Sequence, residues 1–225
     1  MVCVSGLEGP WMEAERIEIK TLVISLATMV CIEVATRAVI SKDLYNQMII
    51  LGVTRLFEII FLMLIVLIWG GGLSSIGLAR FKVISGLKKG VIWSAGFGMV
   101  AFFAFLALFA VGINGVTLIQ AHLPKKPSEI ILFFVIGGMV GPIAEEVFFR
   151  GILYSFFRRW GVVVALVLST LFFVLTHPSN HGVPVTQVVG GLVFAVAYEV
   201  EGSLMAPITI HILGNMAIFT LPLIF

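Results

Sequence analysis

Apolar residues run in long blocks along this chain, interrupted by short clusters of glycine, proline and charge. Coiled as helices, blocks of about 20 residues match the thickness of a lipid hydrocarbon core. The pattern predicts seven membrane helices, at about 21–40, 46–69, 91–113, 129–158, 161–177, 186–200 and 203–225. Between the second and third, "GGGLSSIGLARFKVISGLKKG" reads as a glycine-rich interfacial loop with a short amphipathic piece. "NGVTLIQAHLPKKPSE", which holds His122, and "PSNHGVP", which holds His181, read as connectors. Residues 1–20 carry Pro10 and several charges without the basic-then-apolar order of a signal peptide, and read as an N-terminal tail. Residues 21–225 are expected to form one membrane-embedded domain, with no soluble domain at either end and no internal repeat. The expected fold class is all-α, a polytopic transmembrane helix bundle.

Composition agrees with the pattern. The chain has 225 residues, 60% hydrophobic and 12% charged, with a mean hydropathy of +1.15. A soluble domain is about half apolar and a quarter charged. The expected solvent, and first partner, is therefore membrane lipid. A net charge of +2 gives no argument for nucleic acid. Cys3 and Cys31 are too few for a disulfide framework. Arg16, Lys20, Arg80, Lys82, Lys88, Lys89, Arg158 and Arg159 fall on the N-terminal side, against Arg37, Lys42, Lys125 and Lys126 on the other. The positive-inside bias predicts a cytoplasmic N-terminus for a multi-pass protein of the cell membrane.

Against this background the stretch "AEEVFFR", residues 144–150, stands out. A carboxylate at mid-bilayer costs several kcal/mol unless it is neutral, paired or beside water. Glu146 and Arg150 are four apart, so they share a helix face and can pair. Glu145 points about 100° away and has no local partner. An unpartnered carboxyl in a partly desolvated site suits general-base work. The alternative is an ion network of Glu145, Glu146 and Arg150 that only fixes packing. His177 ends "FFVLTH", and His211 and Asn215 share one face of "APITIHILGNMAIF". Measured from the Arg158–Trp160 hairpin, Glu145 and His177 rise by about 20 and 24 Å, and, measured from Gly202–Ser203 on the same side, Asn215 and His211 rise by about 18 and 12 Å. These groups are expected to meet at one level between three helices.

Such a set suits hydrolysis. A glutamate takes a proton from water, a histidine orients the water, and a second histidine with an amide donates to the oxyanion. Glu145, His177 and His211 also form a possible Zn²⁺ set, although no HExxH is present. No cofactor is favoured, and zinc stays open. A serine nucleophile is weaker: Ser169 lies two turns before His177, and no GxSxG occurs. A different class remains, a non-catalytic immunity or scaffold protein, or a proton-coupled transporter using the same polar cluster. Gly141–Pro142 is a candidate kink that lets water reach Glu145.

These residues resemble a known family. "EEVFFR" at 145–150, "FVLTH" at 173–177 and "HILGN" at 211–215 are similar to the EExxxR, FxxxH and HxxxN motifs of the CAAX prenyl protease and bacteriocin-processing family of intramembrane proteases. The run "GGLVFAVAYEVEGSLMAPITIHILGN" also resembles that family's approach to its last motif, and the likeness spans about 130–220. The resemblance implies an intramembrane endopeptidase. Glu145 would activate water with help from His177, and His211 and Asn215 would form the oxyanion site. Glu146 and Arg150 would support the geometry, and Phe173 would shape the wall. Family members are named as metalloproteases, yet a metal-independent glutamate mechanism is the picture favoured here. The implied substrate is a hydrophobic peptide or a membrane-anchored protein; compactness fits a bacterial or archaeal member, for which a prenylated substrate is not expected. Glu199 and Glu201 flank the last hairpin and are read as interfacial.

Overall fold

The computed structural model describes residues 17–115, 119, 123–177 and 184–224. Most of the tail, Cys3, His122 and His181 lie outside the described residues. Among the described residues there are seven principal helices and no strand. They are α1 (Ile19–Ile40), α2 (Gln47–Trp69), α3 (Arg80–Ala110), α4 (Pro127–Trp160), α5 (Val162–Leu175), α6 (Val185–Glu201) and α7 (Met205–Ile224). Successive helices alternate direction, as the sequence pattern predicts. α1, α2, α3, α4 and α7 are long and apolar enough to cross a membrane. α5 and α6 have 14 and 17 residues. At 1.5 Å per residue they reach about 21 and 26 Å, short of a hydrocarbon core of about 30 Å. The end of α5, and His177 beyond it, therefore stop inside the span of their neighbours.

Two boundaries differ from the sequence expectation. The segment read as an interfacial loop is a short 3₁₀ turn, Leu73–Ile76, followed by the first three turns of α3. Gly86 and Gly90 do not break that helix, because both serve packing. A Cβ on Gly86 would lie 2.2 Å from Ser203 Oγ, and one on Gly90 would lie 2.6 Å from Thr209 Cβ. Gly86 and Gly90 are four apart, the small-xxx-small spacing that lets two membrane helices approach closely. The second difference is His177, which lies past the C-terminus of α5, its N–H donating to the Val174 carbonyl.

α4 is not a uniform α-helix. Ile136–Val140 and Val147–Tyr154 are π-helical and flank an α-helical turn, Gly141–Glu146. Pro142 has no N–H to give to the ladder, so a local change of hydrogen-bond pattern is expected beside it. π-Turns of this kind recur at functional sites.

The densest core lies towards the basic end of the bundle. Val147, Ile152, Tyr154, Ala197, Tyr198, Leu204 and Ile76 are inaccessible there. Glu199 is buried among them, where it accepts from Arg158 Nε and Nη2 at 2.8–3.1 Å and from Tyr154 Oη at 2.8 Å. Glu201 accepts from Trp93 Nε1 at 2.9 Å and pairs with Lys89. These two glutamates clamp α6 to α4 and to α3. The sequence reading takes both as interfacial; Glu199 is 4% exposed and the Glu201 side chain 10%.

α3 touches the bundle along one side only. Gly96 and Gly98 have nothing within 4 Å of a built Cβ. Gly90→Leu is expected to wedge α3 from α7 and lower the melting temperature in detergent by several degrees, whereas Gly98→Leu leaves it unchanged. Circular dichroism melts of the two variants beside wild type check this.

Candidate active site

α4 carries the two glutamates to the seam between α5 and α7. Glu146 points inward and its side chain is fully buried. Its Oε1 accepts from Arg150 Nη1 at 2.8 Å, one turn along the helix, and from His211 Nδ1 of α7, also at 2.8 Å. Arg150 Nη2 continues to the Gly191 carbonyl of α6 at 3.1 Å. Its guanidinium lies over Phe173 at 4.6 Å and Phe194 at 5.2 Å, so aromatic faces supply much of its solvation. Gly191 permits this approach: a Cβ there would meet Thr170 Cγ2 at 2.9 Å and Arg150 Nη2 at 3.7 Å. One ionic network thus ties α4, α6 and α7 together.

Glu145, 100° further around α4, leaves that network and faces a partly open space. Its side chain is 22% exposed. His177 Nε2 stands 3.7 Å and His211 Nε2 3.8 Å from the same oxygen, Glu145 Oε2. Both separations exceed a direct hydrogen bond. The rings are fixed from behind. His177 Nδ1 lies 2.8 Å from the Phe173 carbonyl oxygen, which can only accept, so Nδ1 carries the hydrogen. His211 Nδ1 faces the carboxylate already paired with Arg150, and by the same logic it donates. In their neutral forms both imidazoles then turn an Nε2 lone pair towards Glu145. Phe194 stacks on the His211 ring at 4.5 Å, and Phe173 packs on the His177 ring at 4.6 Å.

The structure therefore brings Glu145, Glu146, Arg150, Phe173, His177 and His211 into one constellation. Asn215 lies one turn beyond His211, and its Nδ2 donates to the Gly137 carbonyl in the first π-helical stretch at 3.0 Å. That bond uses one of its two amide hydrogens. Ser169 is buried, and its Oγ has no hydrogen-bond partner, so no base stands beside it. Among the described residues no group of three or more His, Cys, Asp and Glu is placed to hold a metal ion. As they stand, Glu145, His177 and His211 do not form a closed metal set.

Two features escape the sequence reading. Phe194 is one aromatic in an apolar run, and only the meeting of α6 with α7 gives it the face of His211. The second is an ionic cluster on α1 and α2. Arg55 Nη1 lies 3.0 Å from Glu33 Oε1 and 2.5 Å from Glu58 Oε2. The signal was present in "TRLFEIIF", where charges three apart interrupt an apolar helix.

Residues 127–217 match the family model described as Type II CAAX prenyl endopeptidase Rce1-like. No curated protein and no solved structure matches the chain. The matched segment contains every residue of the constellation, from Glu145 on α4 to His211 on α7, and Asn215 as well. With its apolar helices the chain is a membrane protein, and its residues 127–217 are similar to the Rce1-like type II CAAX prenyl endopeptidases, a protease family.

Proposed function

We propose that this protein is an intramembrane endopeptidase that cuts a hydrophobic, membrane-associated substrate near its C-terminus or membrane anchor, using water activated by Glu145. The observation that carries the reading is the approach of two imidazole Nε2 atoms to one carboxylate oxygen, at 3.7 and 3.8 Å. A water between them donates its two hydrogens to two of these three acceptors, Glu145 and one imidazole. A water held there keeps an oxygen lone pair for a carbonyl carbon. As it attacks, Glu145 takes its proton and later returns it to the leaving amine. His177, 30% exposed, orients the water.

Oxyanion stabilisation falls to donors. Asn215 has a second amide hydrogen beyond the one given to Gly137. His211 can donate from Nε2 only as an imidazolium, with its Nδ1 hydrogen still held by Glu146. Glu146 is a positioning residue in this scheme: through Nδ1 it fixes the ring, and through Arg150 it is itself fixed. The basic end of the bundle is the cytoplasmic one in a cell membrane by the positive-inside rule. Glu145 then lies in the far half of the bilayer, which suits substrates that arrive from the outer side.

The test is cleavage of a quenched hydrophobic peptide library by purified protein in detergent. Glu145→Ala is expected to reduce kcat by about 10²–10⁴-fold, the usual weight of a general base. Chelator is expected to leave wild-type turnover unchanged. Loss on chelation would instead assign zinc to His177, His211 and Glu145. Turnover by Glu145→Ala at the wild-type rate would remove Glu145 as the base, and a library untouched by wild type would favour a non-catalytic membrane protein.

A second outcome separates positioning from chemistry. Glu146→Gln leaves Arg150 as an uncompensated buried charge, a change worth about 3–5 kcal/mol of stability. Combining it with Arg150→Met is expected to restore much of the melting temperature. Activity is expected to stay low, because His211 has still lost its anionic anchor. Thermal melts and turnover measured on the same preparations check both halves.

A further inference from the structure

The Arg55 cluster lies inside the membrane-spanning part of α2 and takes no part in the chemistry above. Arg55 is eight residues into the helix, about 12 Å from its start. Intramembrane charges are rare and mark substrate paths or relays. Glu58 is fully buried, and its Oε1 has no hydrogen-bond partner. Glu33 is the open member of the set, with 35% of its side chain exposed, and Arg55 keeps 24%. Both ion pairs use Nη1 alone. Among the described residues the Nε and Nη2 hydrogens of Arg55 have no partner, although a guanidinium offers five donors in a fork that matches a carboxylate.

Arg55 also borders the candidate active site. α2 packs against the middle of α4, where a Cβ on Gly52 would lie 2.8 Å from Ile136 Cδ1. Arg55 is one turn further along α2, towards the level of the glutamates. α2 also packs against the Gly141–Glu146 turn that carries both glutamates. A purely structural ion pair would not need two carboxylates on one guanidinium nitrogen with the rest of the fork left open.

We infer that Arg55 is the receptor for the free C-terminal carboxylate of the substrate, an inference that rests on the endopeptidase reading above. Bringing a carboxylate into the membrane is unfavourable unless a cation meets it. Glu33 holds that place in the free protein, and the substrate carboxylate exchanges for it, so that the total charge around Arg55 is unchanged when Glu33 moves out. Glu58, buried and unable to leave, keeps the guanidinium aimed. A peptide bond two or three residues from the terminus would lie about 7–10 Å from the bound carboxylate, on the Glu145 side.

The experiment compares one quenched hydrophobic peptide that wild type cleaves, made with a free C-terminal carboxylate and as its C-terminal amide. Wild type is expected to show a KM at least about tenfold lower for the acid, with similar kcat. Arg55→Met is expected to raise KM for the acid to that of the amide, and Arg55→Lys to keep part of the preference. Glu33→Gln, which weakens the competing carboxylate, is expected to lower KM for the acid alone. Equal KM for acid and amide in wild type would overturn the inference and needs no variant to fold. So would an Arg55→Met protein that loses activity on both peptides equally. Glu145→Ala on the same peptides keeps the two readings apart: if it stays active, the endopeptidase mechanism has failed, and if it is inactive while wild type ignores the terminus, only the role of Arg55 has.

Discussion

The buried guanidinium of Arg150 is the element on which the rest of the site depends. It is inaccessible to solvent, yet it bonds Glu146 and the Gly191 carbonyl and lies against Phe173 and Phe194. A charge so placed is tolerable only if it is paired and well packed, and here only Nε of the guanidinium lacks a hydrogen-bond partner. The pairing and packing come from α4, α5 and α6, and through Glu146 from His211 on α7. Helix positions that pack loosely in lipid are thereby held to a common geometry. In a solvent where apolar contacts between helices bring little hydrophobic gain, such a network specifies the arrangement.

The same network gives two adjacent carboxylates different surroundings. Glu146 is sealed and committed to Arg150 and His211. Glu145, its chain neighbour, stays partly open and meets two imidazole nitrogens at a distance that fits a bridging water. The shortness of α5 contributes: at 14 residues it ends early, so His177 lies at the depth of Glu145 rather than at the far surface. Irregular backbone at that depth is tolerated where it lines a cavity or is covered by protein.

Rigidity is distributed unevenly around this centre. Towards the basic end, Glu199 and Glu201 tie α6 to α4 and α3, and the aromatic and aliphatic core is fully closed. Away from that end, α3 leans on α7 by one face, and α1 and α2 meet through Thr36–Thr54 and the Arg55 cluster. The bundle thus has a fixed base below and polar walls above.

Much of this was legible in the residues themselves. Block lengths determined a helical membrane protein, and the four-residue spacing of Glu146 with Arg150 and of His211 with Asn215 determined which side chains share a face. The levels of Glu145 and His177 followed from rise per residue. The sequence could not determine that His211 would bond Glu146 while facing Glu145, nor that Asn215 would reach Gly137, since a helix rotation of a few tens of degrees decides both. Gly86 and Gly90 looked like loop residues because a glycine reads the same whether it breaks a helix or seats one against another. Arg55 and Glu58 were likewise visible as charges three apart in lipid, but their partner Glu33 lies on another helix. One-dimensional spacing fixes neighbours within a helix; neighbours between helices depend on how the helices turn and cross, and only tertiary packing sets that.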